Sequence, residues 1–273
     1  MRGVIILAGG EGSRCGASGA KGMIPLLGKS LFEWICEKVR GRAPLAVLTS
    51  SKNHQAIVQF FQENHFFGIE DLSFFSQGTL PLLNEQGEDS LDPSGAVVEG
   101  SDGNGSLFEA FASSGVLAIW EKKGVKVVHV VPVDNPIADP LDPLLFQEAD
   151  LTFLCIKLSD PEEPLGRFIQ ERAAIVEFAE LTPEQRRQEL VANAGIYAFS
   201  MPLMHELASK KFPIHKVWRS SAWKREKFLV DALAFAKDIR AIPVPREQYY
   251  AALKEKSSIP EIERLLLERE GRL

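Results

Sequence analysis

The sequence predicts an α/β fold in which a mixed central sheet is flanked by helices. In the first half of the 273-residue chain, short apolar runs alternate with segments of helical spacing, a pattern typical of a mostly parallel sheet covered by helices. After residue 150 strand-like segments predominate, and we expect some of them to pair antiparallel. No linker or internal repeat interrupts the sequence, so we expect a single domain over residues 1–273, with one half at 1–150 and the other at 151–273.

Apolar runs in the first half predict buried strands, and segments of helical spacing separate them. Strands are expected at residues 3–8, 44–50, 72–78 and 125–133, and helices from residue 30, at 53–66 and at 106–124. Ser30 and Glu33 have the spacing of a capping box, and Gly124 suits the end of the third helix. The polar segment 80–100, which contains Pro and Gly, predicts a loop or hairpin.

The second half predicts further strands and ends in helical segments. Strand-like runs stand at residues 151–158, 166–170, 174–180 and 194–200, and helical signals return at Pro202, Lys227, Arg246 and Ser258. Ser258 and Glu261 have the spacing of a second capping box. Lys254 stands among charged neighbours and is expected in a helical segment.

The charge and cysteine content argue against several classes of protein. The net charge is −6, whereas a protein that binds nucleic acid usually has a basic face. Cys15, Cys36 and Cys155 are widely spaced and fit neither a disulfide framework nor a zinc site. The first apolar run is too short for a signal peptide, and no run approaches a membrane span. We therefore expect a cytoplasmic protein with no nucleic-acid or membrane partner. Small phosphorylated ligands stay compatible with the negative net charge, because binding them needs only local positive charge.

A glycine-rich, basic loop follows the first predicted strand, between Leu7 and Lys29. Ligands of open α/β sheets bind beyond the carboxyl ends of strands, so this turn is a candidate binding site. Its glycines would let backbone N–H groups approach a phosphate, and Arg14 and Lys21 would add charge. The loop contains neither the Walker pattern nor the dinucleotide fingerprint GxGxxG. From the residues alone, a surface loop with incidental basic side chains remains the alternative.

The same loop resembles a family signature. The letters LAGGEGSRCG, followed by KGMIPL, resemble the opening motif of the eukaryotic-type UDP-sugar pyrophosphorylases, which are UTP:hexose-1-phosphate uridylyltransferases. Other segments that resemble the family are FFSQGTLP, DGNGSLFEAF, VPVDNP, EEPLGRF, IVEFAEL, NAGIYAF and, more weakly, REQYYAALKEK. The resemblance spans nearly all of the chain. It implies a Rossmann-like nucleotide-diphospho-sugar transferase (GT-A-like) fold, with a nucleotide-binding half followed by a sugar-binding half and C-terminal helices.

The resemblance also implies an activity and the residues that carry it. UTP and a sugar 1-phosphate, either glucose 1-phosphate or N-acetylglucosamine 1-phosphate, would give a UDP-sugar and pyrophosphate with the help of Mg²⁺. The implied catalytic residues are Arg14, Lys21 and Lys254. The implied nucleotide-binding residues are Leu7, Ala8, Gly9, Gly10, Gln77, Asp102, Gly103 and Asn104. The implied sugar-binding residues are Asn135, Gly166, Glu177 and Asn193, and the implied metal ligand is Asp134.

The chemistry of these residue types is compatible with the implied roles. Asp134 ends a strongly apolar run, and Mg²⁺ prefers carboxylate oxygen with phosphates completing its shell. The Gln77 amide is both a donor and an acceptor, so it can pair with the polar edge of uracil. Ordinary structural roles are the alternatives: a turn cap for Asp134 and a solvated helix face for Lys254.

Two other functions stay open. One is a regulatory protein that binds nucleotide sugars without catalysis, and the other is a nucleotidyltransferase that uses dTTP, CTP or GTP. The joint presence of Arg14, Lys21, Asp134 and Lys254 disfavours the first, since a protein that only binds has less need of residues for the leaving group. Val230 stands where the N-acetylglucosamine branch tends to have an aromatic residue, which leaves the sugar open.

Overall fold

The segments that the sequence predicts form most of a large sheet and of the helices around it. The computed structural model describes residues 1–12, 19–188, 190–219 and 222–272. Its strands are β1 Arg2–Leu7, β2 Pro25–Leu26, β3 Lys29–Ser30, β4 Leu45–Thr49, β5 Leu72–Ser76, β6 Thr79–Pro81, β7 Glu99–Ser101, β8 Val127–Pro132, β9 Leu151–Lys157, β10 Arg167–Ile169, β11 Ala174–Val176, β12 Val191–Ser200, β13 His215–Arg219, β14 Ala222–Glu226 and β15 Ile239–Val244.

The helices are short, and several are single 3₁₀ turns. The α-helices are α1 Leu31–Val39, α2 His54–Glu63, α3 Leu107–Ser113, α4 Val116–Lys122, α5 Pro183–Gln188, α6 Met201–Ala208, α7 Arg246–Tyr249 and α8 Ile259–Arg269. The 3₁₀ helices are Lys21–Met23, His65–Gly68, Asn104–Ser106, Pro143–Leu145, Gln170–Arg172, Phe178–Glu180, Leu229–Phe235 and Lys256–Ser258. Within the described residues, no helix combines the length and the apolar character needed to cross a bilayer.

One mixed sheet contains nine of the strands in the described part of the chain. Along its main path the order is β11-β10-β12-β8-β1-β4-β5, and β9 pairs with both β12 and β15. The strands β8, β1, β4 and β5 are parallel neighbours, whereas β12 runs antiparallel to β8 and β9. The predicted α/β fold with a mixed central sheet is therefore confirmed.

Apolar layers pack on both faces of this sheet. On β1, Val4 and Ile6 belong to one buried cluster with Phe32 of α1. Ile5 belongs to the cluster on the opposite face, together with Phe108 of α3. Because successive side chains of a strand point to opposite faces, an unbroken apolar strand needs helices on both sides.

The carboxyl ends of the parallel strands meet at one edge of the sheet, which we call the carboxyl edge. There β1 leads into the glycine-rich loop, β5 into Gln77 and β8 into Asp134. Because β12 runs in the opposite direction, its first residues start at this edge, and Gly195 faces the ring of Pro132 at the end of β8. The carboxyl edge is therefore where segments distant in sequence can combine into a site.

Three helical expectations differ from the structure. The segment 106–124 forms two helices, α3 and α4, because Gly115 has a φ of +80°, which a right-handed helix cannot contain. The helical signal at Lys227 becomes the 3₁₀ helix Leu229–Phe235. Lys254 lies in non-helical backbone between α7 and the 3₁₀ helix Lys256–Ser258, so its expected placement in a helix is wrong.

Local sequence patterns do not predict α5, the hairpin β13–β14 or β15. In the hairpin, Trp218 of β13 lies opposite Trp223 of β14, and most other positions carry polar or charged side chains. The expected alternation of apolar and polar residues is therefore absent. The β15 strand adds to the sheet as a parallel neighbour of β9.

Ser30→Ala is expected to lower the free energy of unfolding by about 1 kcal/mol, because the Ser30 hydroxyl accepts a hydrogen bond from the Glu33 backbone N–H at 3.1 Å and caps α1. Ser258→Ala is the matched control. The Ser258 hydroxyl does not cap α8, contrary to the second capping-box prediction, and instead donates to the Glu255 carbonyl at 2.9 Å. Urea unfolding followed by circular dichroism measures both variants, and equal losses would contradict the assignment.

Candidate active site

The two arms of the glycine-rich loop, residues 9–12 and 19–21, pair with each other, and this pairing fixes the position of Lys21. Glu11 and Ala20 form an antiparallel bridge, and the Gly12 N–H donates to the Gly19 carbonyl at 3.0 Å. The Lys21 N–H donates to the Gly10 carbonyl at 3.3 Å. Lys21 therefore starts its 3₁₀ turn directly against the first arm of the loop. Two residues from the sequence analysis, Arg14 and Cys15, lie outside the described residues.

Gln77 packs against the start of this loop. A Cβ atom at Gly9 would stand only 2.8 Å from Gln77 Nε2, so the absence of a side chain lets the amide approach the backbone closely. At Gly10, in contrast, a Cβ atom would meet no described atom within 4 Å. The first arm thus presents one glycine to Gln77 and another to open space. The Leu7 carbonyl accepts a hydrogen bond from the Val133 N–H at 3.1 Å, and the Ala8 carbonyl accepts one from Asn53 Nδ2 at 2.9 Å. These two bonds fix the backbone of Leu7 and Ala8.

Two lysines converge on one oxygen of Asp134. Lys21 Nζ and Lys254 Nζ each donate to Asp134 Oδ2 at 3.0 Å. Burial would raise the pKa of the Asp134 carboxyl, but the positive charges of Lys254 and Lys21 outweigh it and lower that pKa below its ordinary value. The structure therefore brings together three of the predicted site residues as an ionised carboxylate between two cations.

The backbone around Asp134 also fixes the segment that carries Lys254. The Leu253 N–H donates to the Asp134 carbonyl at 2.7 Å. Next to it, Asn135 Nδ2 donates to the Tyr249 carbonyl at 2.8 Å, and Asn135 Oδ1 accepts from the Ala251 N–H at 3.1 Å. The Asn135 side chain is fully buried. A contact between Asn135 and a sugar stays a prediction, and its observed contacts are structural.

The second carboxylate oxygen of Asp134, Oδ1, is the candidate ligand for the predicted metal ion. Asp134 Oδ1 is buried and has no hydrogen-bond partner among the described atoms. Within the same residues, no group of three or more His, Cys, Asp or Glu side chains is arranged to hold a metal ion. Mg²⁺ commonly takes one or two carboxylates, with phosphates and water as its remaining ligands. A single unpartnered carboxylate oxygen fits that mode of binding, in which the substrate supplies most of the ligands.

The DGNG segment uses its side chains to hold other backbone segments. Asp102 Oδ2 accepts from Lys227 Nζ at 3.3 Å, and the Asp102 N–H donates to the Gly78 carbonyl at 3.0 Å. Asn104 Oδ1 accepts from the Leu229 N–H at 2.9 Å, which caps the 3₁₀ helix Leu229–Phe235. Whether Asp102 and Asn104 also contact a nucleotide stays a prediction.

Gly103 has a structural role in the close approach of two backbone segments. Its φ is +92°, and a Cβ atom there would stand 2.3 Å from the Lys227 carbonyl oxygen. Gly103 thus permits close packing of two backbone segments. A larger side chain at Gly103 would therefore displace the backbone of Lys227, and a contact between Gly103 and a nucleotide stays a prediction.

The predicted sugar-binding residues form a second group at the carboxyl edge. The Asn193 N–H donates to the Gly166 carbonyl at 3.0 Å, and Glu177 Oε1 lies 3.7 Å from the position of a Gly166 Cβ atom. Asn193 Nδ2 donates to the Tyr197 hydroxyl. Burial raises the pKa of Tyr197, and the nearby Glu177 carboxylate raises it further. The structure therefore brings Gly166, Glu177 and Asn193 together, while their contact with a sugar stays a prediction.

An ion pair that local sequence patterns do not predict connects segments next to these two groups. Arg246 of α7 forms two hydrogen bonds of 2.7 Å with the carboxylate of Glu163, which lies in the loop before Gly166. The Glu163 carboxylate raises the pKa of Arg246. This pair links the loop before the sugar-binding group to the helix that leads towards Lys254. Its partners lie 83 residues apart, so local patterns gave no signal for the pairing.

The fold and this arrangement define a class of protein, and comparisons identify the family. The mixed sheet flanked by helices is a nucleotide-diphospho-sugar transferase-like fold. The crystal structure of the uridine diphosphate N-acetylglucosamine pyrophosphorylase from Trypanosoma brucei in complex with an inhibitor has a TM-score of 0.83 and 25% sequence identity. That similarity covers 99% of this chain and 66% of the other.

Sequence comparisons agree with the structural similarity. A model of the UTP–glucose-1-phosphate uridylyltransferase family matches residues 3–153, and the chain belongs to that family. The chain is 30% identical to UDP-N-acetylhexosamine pyrophosphorylase-like protein 1 of Mus musculus, over 92% of this chain and 60% of that protein. It is 26% identical to UDP-N-acetylglucosamine diphosphorylase 2 of Arabidopsis thaliana, over 98% of this chain and 64% of that protein. The chain thus spans less than two thirds of the length of these relatives.

Lys21→Met is expected to destabilise the protein more at pH 7 than at pH 3. In the unsubstituted protein the folded-state pKa of Asp134 is lowered, so its ionised form stabilises the fold above the unfolded-state pKa. That contribution is lost as the pH falls through the folded-state pKa. Without Lys21 the pKa of Asp134 rises, and ionisation at higher pH then contributes less stability. Urea unfolding at the two pH values measures the difference.

Lys123→Met is the control for this experiment. It removes a lysine that forms an exposed ion pair with Asp71 at 2.6 Å. We expect it to change the stability by less than about 1 kcal/mol at both pH values. A Lys21→Met variant with the same small effect at pH 7 and pH 3 would show that Asp134 does not depend on Lys21.

Proposed function

We propose that this protein is a uridylyltransferase that makes a UDP-sugar and pyrophosphate from UTP and a sugar 1-phosphate. The sugar would be glucose or N-acetylglucosamine. The observation that carries the proposal is the convergence of Lys21 and Lys254 on Asp134 at the carboxyl edge, in a chain of the uridylyltransferase family. Relatives named as N-acetylglucosamine or N-acetylhexosamine pyrophosphorylases support the same chemistry.

The proposed reaction needs no nucleophile from the protein. A phosphate oxygen of the sugar 1-phosphate forms a bond to the α-phosphorus of UTP, and the bond from that phosphorus to the bridging oxygen of the β-phosphate breaks. Pyrophosphate leaves with the electron pair. The nucleophile is already ionised, so catalysis consists of bringing two anions together and neutralising the charge of the leaving group.

The two lysines are suited to different phosphates because their accessibility differs. The Lys21 side chain is 11% exposed and lies at the base of the glycine-rich loop, whereas the Lys254 side chain is 48% exposed. We assign Lys21, together with Arg14, to the pyrophosphate portion of UTP, and Lys254 to the incoming sugar 1-phosphate. Each lysine would exchange a contact with Asp134 for a contact with phosphate, so positive charge is already in place when the anions arrive.

A divalent cation completes the proposal. When bound, Mg²⁺ would supply further neutralisation of phosphate charge, and the unpartnered Asp134 Oδ1 is the atom that would hold it. Release of the lysines from Oδ2 by the phosphates would increase the negative charge available at Asp134. The cation and the substrates are therefore expected to bind favourably together.

The nucleotide base is assigned to the first arm of the loop and Gln77. Gly10 presents backbone without a side chain to open space, and the Gln77 amide lies directly against the neighbouring Gly9. Such an amide can pair with both N3–H and a carbonyl of uracil. We assign Gly166, Glu177 and Asn193 to the sugar. A cytoplasmic location and the absence of nucleic-acid and membrane partners stay predictions.

A panel of nucleotides and sugar 1-phosphates tests the function, with pyrophosphate release as the measurement. UTP with glucose 1-phosphate or N-acetylglucosamine 1-phosphate is expected to react in the presence of Mg²⁺, and EDTA should abolish the reaction. Faster reaction with dTTP, CTP or GTP would favour another nucleotidyltransferase. Binding of UDP-sugar without any pyrophosphate release would favour a regulatory protein that binds nucleotide sugars.

Gln77→Ala is expected to reduce the preference for UTP over CTP by about tenfold, because removal of a paired hydrogen bond costs on the order of 1–2 kcal/mol of discrimination. The measurement is the ratio of kcat/KM for the two nucleotides. Gln59→Ala is the matched control, since Gln59 lies on α2 and its amide donates to the exposed Glu63 at 2.7 Å. An unchanged ratio in Gln77→Ala would remove Gln77 from the base site.

A further inference from the structure

We propose that Asn135 is a positioning residue that acts through Lys254 instead of binding the sugar. This inference rests on the proposed function, because it concerns the lysine assigned to the sugar 1-phosphate. It replaces the sugar-binding role that the resemblance implies for Asn135 with one that follows from its observed contacts.

The side chain of Asn135 holds one extended piece of backbone at two points. Its Nδ2 donates to the Tyr249 carbonyl at 2.8 Å, and its Oδ1 accepts from the Ala251 N–H at 3.1 Å. A third bond follows in register, from the Leu253 N–H to the Asp134 carbonyl at 2.7 Å. Residues 249, 251 and 253 are therefore fixed in turn, and Lys254 is the next residue of the chain.

The polarity of the amide explains why an asparagine suits this position. A carbonyl and an N–H two residues apart on an extended segment need one donor and one acceptor, and a primary amide offers both on a short side chain. Aspartate would lack the donor for Tyr249, and a hydroxyl is too short to reach both groups. Because Asn135 is fully buried, its amide has no exposed surface for a sugar hydroxyl.

Other contacts hold neighbouring parts of the chain, whereas the Asn135 side chain holds the segment between α7 and Leu253. Arg246 is paired with Glu163, and Arg269 of α8 donates to the Gln248 carbonyl. These contacts fix α7 at its start and near its end. Between α7 and Lys254 the described hydrogen bonds to Asp134 and Asn135 guide the backbone, so loss of the Asn135 amide should displace Lys254 and leave α7 in place.

A double-mutant cycle tests the inference, with kcat/KM for the sugar 1-phosphate as the measurement. Asn135→Ala is expected to lower it by about 10²-fold, because a misplacement of about 1 Å costs roughly that much, while KM for UTP changes little. In a Lys254→Ala background, the same substitution should lower it by less than about twofold, since its effect passes through the missing lysine. Asn135→Ser, a milder change, should show an intermediate loss and the same lack of additivity.

Asn64→Ala is the matched control for the cycle, because Asn64 is an exposed asparagine whose amide donates to the Phe60 carbonyl at 2.8 Å at the end of α2. Its effect on kcat/KM should be small in both backgrounds. If the effects of Asn135→Ala and Lys254→Ala multiply, or if Asn135→Ala raises KM for the sugar 1-phosphate equally in both backgrounds, Asn135 acts independently of Lys254 and the inference is wrong.

Amide hydrogen exchange tests the role of Asn135 independently of catalytic activity. Should the unsubstituted protein release no pyrophosphate with any substrate pair, the proposed function is wrong. Amide exchange in Asn135→Ala then decides the positioning role by itself. We expect faster exchange at Ala251 and Leu253 and unchanged exchange in β1 and β8. Unchanged exchange at Ala251 and Leu253 would show that Asn135 does not fix this segment. Accelerated exchange throughout the sheet would show that the substitution only lowers the overall stability, and it would also contradict the positioning role.

Discussion

The buried carboxylate of Asp134 is the interaction on which the candidate site depends. A buried carboxylate without compensation is costly, so it needs positive charge close by. Lys21 and Lys254 supply that charge from positions 113 and 120 residues away in the chain. The same ion pairs therefore hold distant segments together at the carboxyl edge and bring together the two cations that the proposed function assigns to phosphate. If that function is correct, stability and catalysis depend on one set of contacts.

The shared carboxylate also accounts for the arrangement of charges in the site when no substrate is bound. Lys21 and Lys254 use the same carboxylate oxygen, so each is held near the place where phosphate would bind, and their mutual repulsion is screened by Asp134. In the proposed function, phosphate groups would take over both lysines and a divalent cation would compensate Asp134, so that no buried charge would be left unpaired. The exchange keeps the charges balanced at each stage, which favours a site that is organised before the substrates arrive.

The sequence alone predicted the parts of the molecule that depend on local patterns. The strands β1, β4 and β8 are predominantly apolar runs, and Ser30 caps its helix through a residue three positions away, so both could be predicted. The break at Gly115 and the non-helical placement of Lys254 depend on backbone dihedral angles and on distant contacts. The same distinction holds for the site: the glycine-rich loop and Asp134 follow strands of the sheet, whereas Lys254 was found only through the resemblance.

Several motif residues serve the architecture of the site through their side chains or their lack of one. Gly103 allows the backbone at Lys227 to approach, Asn104 caps a 3₁₀ helix, and Asn135 fixes the segment before Lys254. A motif match cannot distinguish such a residue from one that contacts the substrate, because both roles require a particular side chain at a particular position. Burial and hydrogen-bond partners can. A fully buried amide whose oxygen and nitrogen both bind backbone acts on the substrate only through what it positions, and at this edge of the sheet that is Lys254.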